Sequence, residues 1–523
     1  MDITTTNYFD QLINAIKINF TEDEVNRIPI TGSLVALSNR PIGLIEELII
    51  YKILKKRRND FFFFNNMLLN TFQELSKNHF VDNSLNEIED TIANNSCMVI
   101  FPVGYKSNYK NKQKTYVDSE WNKPVLKKLF KLNTNILTFY ISIENADFKD
   151  ISNISDINSL NIEDLISKFN NTEIVFNIRI GKVIKSNNWQ FSNYNQFSRF
   201  LRAKLYSLSS KLKVDNFYIE NKVEKIIDPI ENTLIDEELQ AIYNTNCIGE
   251  QGNFRVYICK AKKIPNTILE IGRLREISFR QVGEGTNKSI DLDEYDLYYL
   301  HLFIYDVANK QVSGAYRIGD GGYIMKTTGR RGFYVNSLFK IKKEFSFLLE
   351  DSIELGRSFV RSEYQNQRLP LFLLWKGISY FLVSHSNIKY IIGPVSISNS
   401  YSKLSKSLII EYVVKYHWDK FLAQFITPRI PFESNYNGLD YEVLIESTNN
   451  SIKSLEEIIE DIDPNHTKVP LLLKKYFAQN ARILCFNNDP KFNDALDGFM
   501  LLDIRDLSKE TLETFQQMKD IEY

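Results

Sequence analysis

The chain lacks most of the features that would place it in a simple class. Its four cysteines, Cys97, Cys247, Cys259 and Cys485, lie far apart with no Cys-x-x-Cys pair. That spacing argues against a disulfide framework or a thiolate zinc site and fits a reducing compartment. No metal is expected. No run of about 18 apolar residues occurs, so no membrane-spanning helix is expected. The first residues, Met1-Asp-Ile-Thr-Thr-Thr6, offer neither a basic nor an apolar signal region, so no signal peptide is expected. Net charge is only -1, which gives no reason to expect nucleic acid. There is no internal repeat. The expected location is the cytoplasm, with any work on lipid done from the membrane surface.

What is present is ample core material. Hydrophobic residues make up 43% and aromatic residues 13% of 523, enough for roughly two to four domains. The early part alternates apolar runs with amphipathic segments, as α/β domains do. Leu34–Leu37, Phe61–Phe64, Met98–Phe101, 136–143 and 173–180 read as strands. Pro41 opens a helix whose apolar stripe is Leu44, Ile45, Leu48, Ile49 and Ile53, closed by Lys55-Lys-Arg-Arg58. The four phenylalanines beside that basic cluster could alternatively touch a bilayer. A lysine-rich loop follows Lys106, and Asp118-Ser-Glu-Trp121 opens another helix. Residues 191–212 read as helical. Periodicity fades over 221–236, which divides the chain into 1–225 and 226–523.

The later part reads as a helix near 237–242, a strand at 254–258, and a helix over Pro265–Arg280. Strands follow at 297–305, 312–318 and 352–361, then a helix over 369–383 and a strand at 388–395. Two closing strands lie near 483–486 and 500–503. Residues 449–463 are acidic and read as a solvated helix or linker.

Charges concentrate among apolar residues from Leu269 to Arg317 and again at Ile353–Tyr364. Arg273, Arg275, Asp291, Asp293, Arg317, Glu354 and Arg357 stand at helix and strand positions, where a charge is costly unless paired or used. Glu354 and Arg357 would face opposite sides of a regular strand. Either Gly356 permits a bulge that turns both into one cleft, or Arg357 is buried in an ion pair behind the sheet. His301, alone in an apolar strand, reads as a hydrogen-bonded core residue. Lys326, Arg330, Arg331, Lys340, Lys342 and Lys343 form a basic tract: a solvated face, or a dock for an acidic partner.

The strand–helix–strands–loop–helix–strand order of the later part resembles the GNAT acyltransferase superfamily, a mixed-sheet α+β fold. Its phosphate loop usually carries glycines. Here Tyr364-Gln-Asn-Gln-Arg-Leu-Pro370 has none, which favours a carrier-protein thioester over a nucleotide cofactor. Arg273-Leu-Arg275, Phe279-Arg280, Asp291-x-Asp293, Tyr316-Arg317 and Glu354-Leu-Gly-Arg357 are similar to the hemolysin-like ornithine- and glycine-lipid N-acyltransferases. Glu354-x-x-Arg357 is also similar to acyl-homoserine-lactone synthases. Further matching stretches are Val282–Thr286, Ile392–Ser396 and Phe486-Asn-Asn-Asp-Pro490 with Ala495-Leu-Asp-Gly498. The resemblance implies transfer of a 3-hydroxy fatty acyl group from acyl carrier protein to the α-amine of an amino acid, glycine or ornithine, in aminolipid synthesis. It implies no bound cofactor. Glu354 is then the candidate base or amine orienter. Arg317, Arg357 and Arg275 are candidates to bind the acceptor carboxylate or to order Asp291 and Asp293. Arg273, Phe279, Tyr316 and Ser358 are further candidates for binding substrate.

The early part resembles glycerolipid O-acyltransferases, an α/β fold with a His–Asp pair. Ser38-Asn39-Arg40-Pro41-x-Gly43-x-x-Glu46 and Phe101-Pro-Val-Gly104 align with its two motifs. Arg40 replaces the catalytic histidine and cannot take a proton at neutral pH. Glu46 replaces the aspartate and has nothing to orient, and Val103 stands where a substrate-binding glutamate is frequent. The resemblance therefore implies a degenerate site, Asn39, Arg40, Glu46 and Gly104, on a scaffold that docks acyl chains or the inner membrane surface. A bifunctional synthase and a non-catalytic binding protein are the rival expectations.

Overall fold

The computed structural model describes residues 3–41, 43, 45–64, 84–104, 108–110, 115–144, 162–171, 174–188, 191–209, 223–436, 438–463 and 468–507. Leu44, His79, most of the lysine-rich loop and the tail of the helix read over 191–212 lie outside them. The chain divides into two compact units. One is Met1–Val214 with Tyr436–Thr467, and the other is Asp215–Asn435 with Lys468–Tyr523. Residues 436–467 thus group with the first unit by their contacts.

The first unit is built on a six-stranded sheet. Its strands are β1 (Lys17–Asn19), β2 (Leu34–Ser38), β3 (Phe61–Phe64), β4 (Cys97–Ile100), β5 (Ile136–Glu144) and β6 (Val175–Ile180), in the order β1-β6-β5-β2-β4-β3. Only β5 and β6 run antiparallel. Strands buried on both faces need continuous apolar runs, and β2 and β4 supply them. Phe61, Phe63 and Phe64 are buried in β3, so these rings serve the core rather than a bilayer. The helix α1 (Ile45–Leu54) starts four residues beyond Pro41. Gly43, at φ 119°, takes up the intervening turn, and its N–H donates to Glu46 Oε2 at 3.0 Å. Glu46 therefore holds the turn and is not idle. Arg58 does not simply close the helix with charge. It is buried and donates to Asp60, Pro29 O and Gly32 O.

The acidic segment near 449–463 is no solvated linker. Its helix, Ile452–Ile462, buries Leu455, Ile458, Ile459 and Ile462. Asp461 is fully buried and pairs with Arg27 at 3.0 Å and Lys204 at 2.7 Å, and it accepts from Lys182 N at 2.7 Å. Removing that charge leaves two cations facing a neutral group. Asp461→Asn should cost about 1.5–3 kcal/mol, the worth of hydrogen bonds to a charged partner. Denaturant unfolding of the full chain measures it.

The second unit is built on an eight-stranded sheet. Its strands are β7 (Cys247–Gln251), β8 (Phe254–Lys260), β9 (Leu300–Asp306), β10 (Gln311–Asp320), β11 (Ser352–Val360), β12 (Tyr390–Ile397), β13 (Arg482–Asp489) and β14 (Ala495–Asp503), in the order β13-β14-β12-β11-β10-β9-β8-β7. Every neighbouring pair is antiparallel except β11–β12, which the helix α3 (Arg368–Ser384) joins as a crossover. That parallel ladder holds for only three pairs, Ser352–Tyr390 to Glu354–Ile392, and then stops. The helix α2 (Pro265–Gln281) covers one face, its Ile271 and Leu274 packing with Tyr257, Phe303, Ala315 and Phe359. Alternation along each strand puts His301, Arg317 and Glu354 on that same face as Phe303 and Ala315.

Candidate active site

Three devices bring the charged residues together. The first is Gly272 on α2. A Cβ there would lie 2.7 Å from Leu292, so only glycine lets the 290–292 segment rest on the helix. Asp291 N then donates to Gly272 O at 3.2 Å. The second is Glu276, which accepts from Arg280, Thr286 N and Thr286 Oγ1 and clasps the loop to the helix end. The Arg-Glu-Ile-Ser-Phe-Arg and Gly-Glu-Gly-Thr stretches thus form a clasp that positions Asp291 and Asp293. The third is a bulge in β11. Arg317 pairs with Gly356 but Ala315 pairs with Phe359, so two residues, Arg357 and Ser358, oppose Tyr316 alone.

The bulge turns Arg357 onto the face that carries Glu354, the first of the two alternatives the sequence leaves open. Its cause differs from the one expected. The left-handed residue is Arg357 itself, at φ 51°, and not Gly356. A non-glycine held in that region stores backbone strain of order 1–3 kcal/mol, which persists only where the surroundings dictate it. A Cβ at Gly356 would meet nothing within 4 Å, so this central strand faces open space at that point.

Around this gap the charges form a network. Arg275, fully buried, holds Asp296 at 2.8 Å. Arg317 holds Asp293 and, at 3.2 Å, Asp296. Arg357 approaches Asp291 at 3.1 Å and Asp293 at 3.4 Å. The contact with Asp291 is one of charge alone. Asp291 Oδ2 and Arg357 Nε make no hydrogen bond among the described residues. Asp293 and Asp296 also form a capping box at the turn that carries them. Burial opposes the Asp296 charge, but Arg275 and Arg317 outweigh it and hold its carboxyl far below the usual range. The Arg357 guanidinium lies over the rings of Tyr334 at 4.8 Å and Phe492 at 4.4 Å. Its side chain is 10% exposed, against 0% for Arg275 and 1% for Arg317, so it is the guanidinium of these three that reaches the gap.

Glu354 is 1% exposed, and both oxygens are occupied. Oε1 accepts from Val335 N at 2.8 Å; Oε2 accepts from Tyr299 Oη at 2.5 Å and Tyr334 N at 3.0 Å. Burial raises its pKa above the ordinary value. Burial, and then the Glu354 charge, push the Tyr299 phenol well above its own. Glu354 thus fixes Tyr299 and the 334–335 turn, and with them the ring against which Arg357 rests.

The other sequence candidates divide. Arg273 stands outside the network, paired with Glu270 at 2.6 Å. Tyr316 points to the opposite face, where its buried hydroxyl lies with those of Tyr476 and Ser358. Ser358 is half-buried within the bulge and Phe279 half-buried near the end of α2. Arg275 serves Asp296 and His301. His301 Nε2 lies 3.0 Å from Asp296 O, a carbonyl that can only accept, so Nε2 carries the proton. Nδ1 then faces Arg275 at 3.5 Å. This is the core histidine expected from its apolar strand. Burial and Arg275 push its pKa down to about 4. The unfolded chain therefore binds a proton that the folded one refuses between pH 6.5 and 4. Stability is full above that window and falls by about 3 kcal/mol as pH drops through it. Urea unfolding at a series of pH values should show that slope, and His301→Gln should remove it.

In the first unit, Asn39 and Arg40 are held by structural contacts. Arg40 and Glu47, both fully buried, pair with each other. Arg40 also donates to Gly43 O and, at 2.8 Å, to Gly104 O, and lies 4.7 Å over the Phe101 ring. Asn39 clamps β5 through both backbone groups of Ile141, at 2.8 and 2.7 Å.

Two buried carboxyls near the network escaped sequence reasoning, Asp489 and Asp497, which stand on the last two strands. The signal available was their place in the two stretches that extend the resemblance.

The acetyltransferase (GNAT) domain family matches residues 274–375. A glycine N(alpha)-acyltransferase of Phocaeicola vulgatus is 28% identical over 303 residues, covering 55% of this chain and 91% of its own. One from Bacteroides thetaiotaomicron is 27% identical over 308 residues, covering 55% and 88%. The crystal structure of the acyl-homoserine-lactone synthase LasI aligns at 18% identity over 31% of this chain and 79% of its own, with TM-score 0.20. The CoA-dependent synthase BjaI aligns at 11% over 50% and 88%, with TM-score 0.22. Scores that low carry no argument. The chain is an acyltransferase enzyme, and the family and sequence matches support a GNAT-type N-acyltransferase.

Proposed function

We propose that the chain transfers a 3-hydroxy fatty acyl group from an acyl-carrier-protein thioester to the α-amine of glycine, the first step toward an amino-acid lipid. The observation that carries this is the gap over Gly356, where β11 and β12 part and Arg357 enters from the bulge. A thioester laid along the parted strand has backbone N–H groups available for its oxyanion. Arg357 takes the acceptor carboxylate, for which a planar guanidinium is suited. Asp291, Asp293 and Arg317 hold Arg357 in place, and Glu354 positions Tyr299 and Tyr334. The two relatives named for glycine favour that acceptor over ornithine.

The carrier protein is favoured as donor by the Ser362–Gln367 loop, which lacks glycine. Lys326, Arg331, Lys340, Lys342 and Lys343 are exposed and make no ion pair among the described residues, which suits docking of an acidic carrier. The first unit serves as a dock for acyl chains at the cytoplasmic membrane surface, with its glycerolipid-type motif turned to structure. No helix among the described residues is long and apolar enough to cross a membrane.

The test is expression in a host without aminolipids, followed by mass spectrometry of the lipid extract. N-acylglycine with one chain is expected. A diacylated product would refute the structural role given to Arg40, and no new lipid with glycine supplied would refute the proposal.

A further inference from the structure

The charge network described above is self-contained: Asp291, Asp293 and Asp296 are each matched by Arg275, Arg317 or Arg357. The same sheet face continues past the gap onto β12, β14 and β13, and there it carries carboxyls that form no ion pair among the described residues, although the charges of Arg357 and Lys491 act on Asp489, that of Arg357 on Asp497 and that of Lys406 on Glu284. Glu354 pairs with Ile392, Ile392 with Leu501, and Ser396 with Asp497. Alternation therefore places Ser396 and Asp497 on the face of Glu354. Asn487 pairs with Asp497, so Asp489, two residues on, faces the same way. Glu284 reaches this spot from beyond α2, accepting from Ser396 Oγ at 2.9 Å.

Asp497 is 5% exposed and Asp489 3%. Asp489 Oδ1 accepts from Lys491 N, but its Oδ2 has no partner among the described residues. Among the described residues no hydrogen bond or ion pair reaches Asp497, which faces the buried Tyr334 phenol. Lys406, the nearby lysine, is spent on Asn399 Oδ1 at 3.0 Å and Asp494 O at 3.3 Å. The Arg357 charge acts on both carboxyls but is seated on Asp291 and Asp293, with the Phe492 ring against its guanidinium. Buried anions of this kind are costly unless a cation completes them.

We infer that Asp497, with Asp489 beside it, seats the acceptor's amino group and that Asp497 takes the proton the amine must lose. The inference rests on the N-acyl transfer proposed above and adds the residue that reading lacks, since both Glu354 oxygens are occupied. An α-amino acid is a zwitterion. Its carboxylate meets Arg357 and its ammonium meets the carboxyl pair, with both sites on one face beside the gap. The ammonium gives one proton to Asp497 and becomes a nucleophile. Its lone pair forms the N–C bond to the thioester carbon, and the C–S bond breaks. The second nitrogen proton leaves with the thiolate as carrier thiol, and Asp497 returns its proton to water. Burial, then Asp489 and Glu284, hold the Asp497 carboxyl well above the usual range, which suits a base that must accept a proton near neutrality.

The test uses the full chain, 3-hydroxypalmitoyl carrier protein and glycine. Asp497→Asn should lower kcat about 10²–10⁴-fold, and its residual rate should climb with pH as free glycine amine grows. Hydroxylamine, unprotonated at neutral pH, needs no base, so the variant should use it at close to the wild-type rate. Asp489→Asn should raise the KM for glycine more than it lowers kcat. Thermal melting should be unchanged or higher for Asp497→Asn, because a destabilising buried charge is removed. A wild-type kcat and pH profile in Asp497→Asn, or an equal loss with hydroxylamine, would overturn the inference while leaving the N-acyl reading in place. Wild-type chain inert toward every amino acid would overturn both.

Discussion

Arg317→Ala should yield a chain with no measurable acyl transfer and a second unit weaker by about 3–5 kcal/mol, the cost of stranding a buried charge. Arg317 is 1% exposed and is the one cation paired with both Asp293 and Asp296 among the described residues. Burial would lower its pKa, yet Asp296 and then Asp293 raise it above the ordinary value, so its guanidinium stays charged in the fold. Its guanidinium also lies 5.3 Å from the Tyr299 ring and 5.4 Å from that of Tyr334, the two residues Glu354 holds. Removing it therefore loosens Asp293 and, through it, Arg357. Arg317→Lys should recover little, because a single ammonium cannot span two carboxylates as a planar fork does. Arg317→Met with Asp296→Asn should regain part of the stability and none of the activity. Denaturant unfolding and a radiolabelled acyl-transfer assay measure both. A single variant within about 1 kcal/mol of wild type would show that the network is ornamental to the fold.

The later half was legible in its sequence to an unusual depth, and the reason lies in its residues. The helix Pro265–Gln281, the strand Ser352–Val360 and the helix Arg368–Ser384 each begin and end near the residues that periodicity and proline mark. The charge set stood out because charges are rare within apolar strands. What stayed hidden was direction. Nothing in Glu354-Leu-Gly-Arg357 says that the arginine and not the glycine adopts the left-handed backbone, since local preference favours glycine there. That choice comes from tertiary demand: Asp291, Asp293 and the two flanking rings hold Arg357 in place. Tyr316 shares a motif with Arg317, but neighbours in a strand face opposite sides.

Asp497 was hidden for a related reason. Its motif neighbours were visible, but only the register of β12 with β14 brings it level with Ser396 and onto the face of Glu354. The segment 449–463 differs from its sequence reading for another reason. Its acidic composition suggests solvent, yet Asp461 is buried against cations drawn from distant positions, Arg27 and Lys204. Composition reports charge and not pairing.

Arg40 turns that same point into the second large prediction. A relic site with arginine in place of histidine suggests that Arg40→His would restore O-acyl transfer. The contacts of Arg40 predict the opposite. Glu47 is fully buried and paired with it, and Gly43 O and Gly104 O each take one of its N–H groups. Histidine is shorter and offers at most two donors, so it cannot serve all three of these acceptors in the core. Arg40→His should therefore cost about 3–5 kcal/mol and produce no ester-linked product. Arg40→Met with Glu47→Leu should recover part of that loss, because an apolar pair replaces the buried ion pair at little cost while Gly43 O and Gly104 O lose their donor. Thermal unfolding of the three chains, with lipid analysis of each, decides the matter. A stable Arg40→His chain that makes diacyl product would mean that Glu47 holds the catalytic base of a working O-acyltransferase.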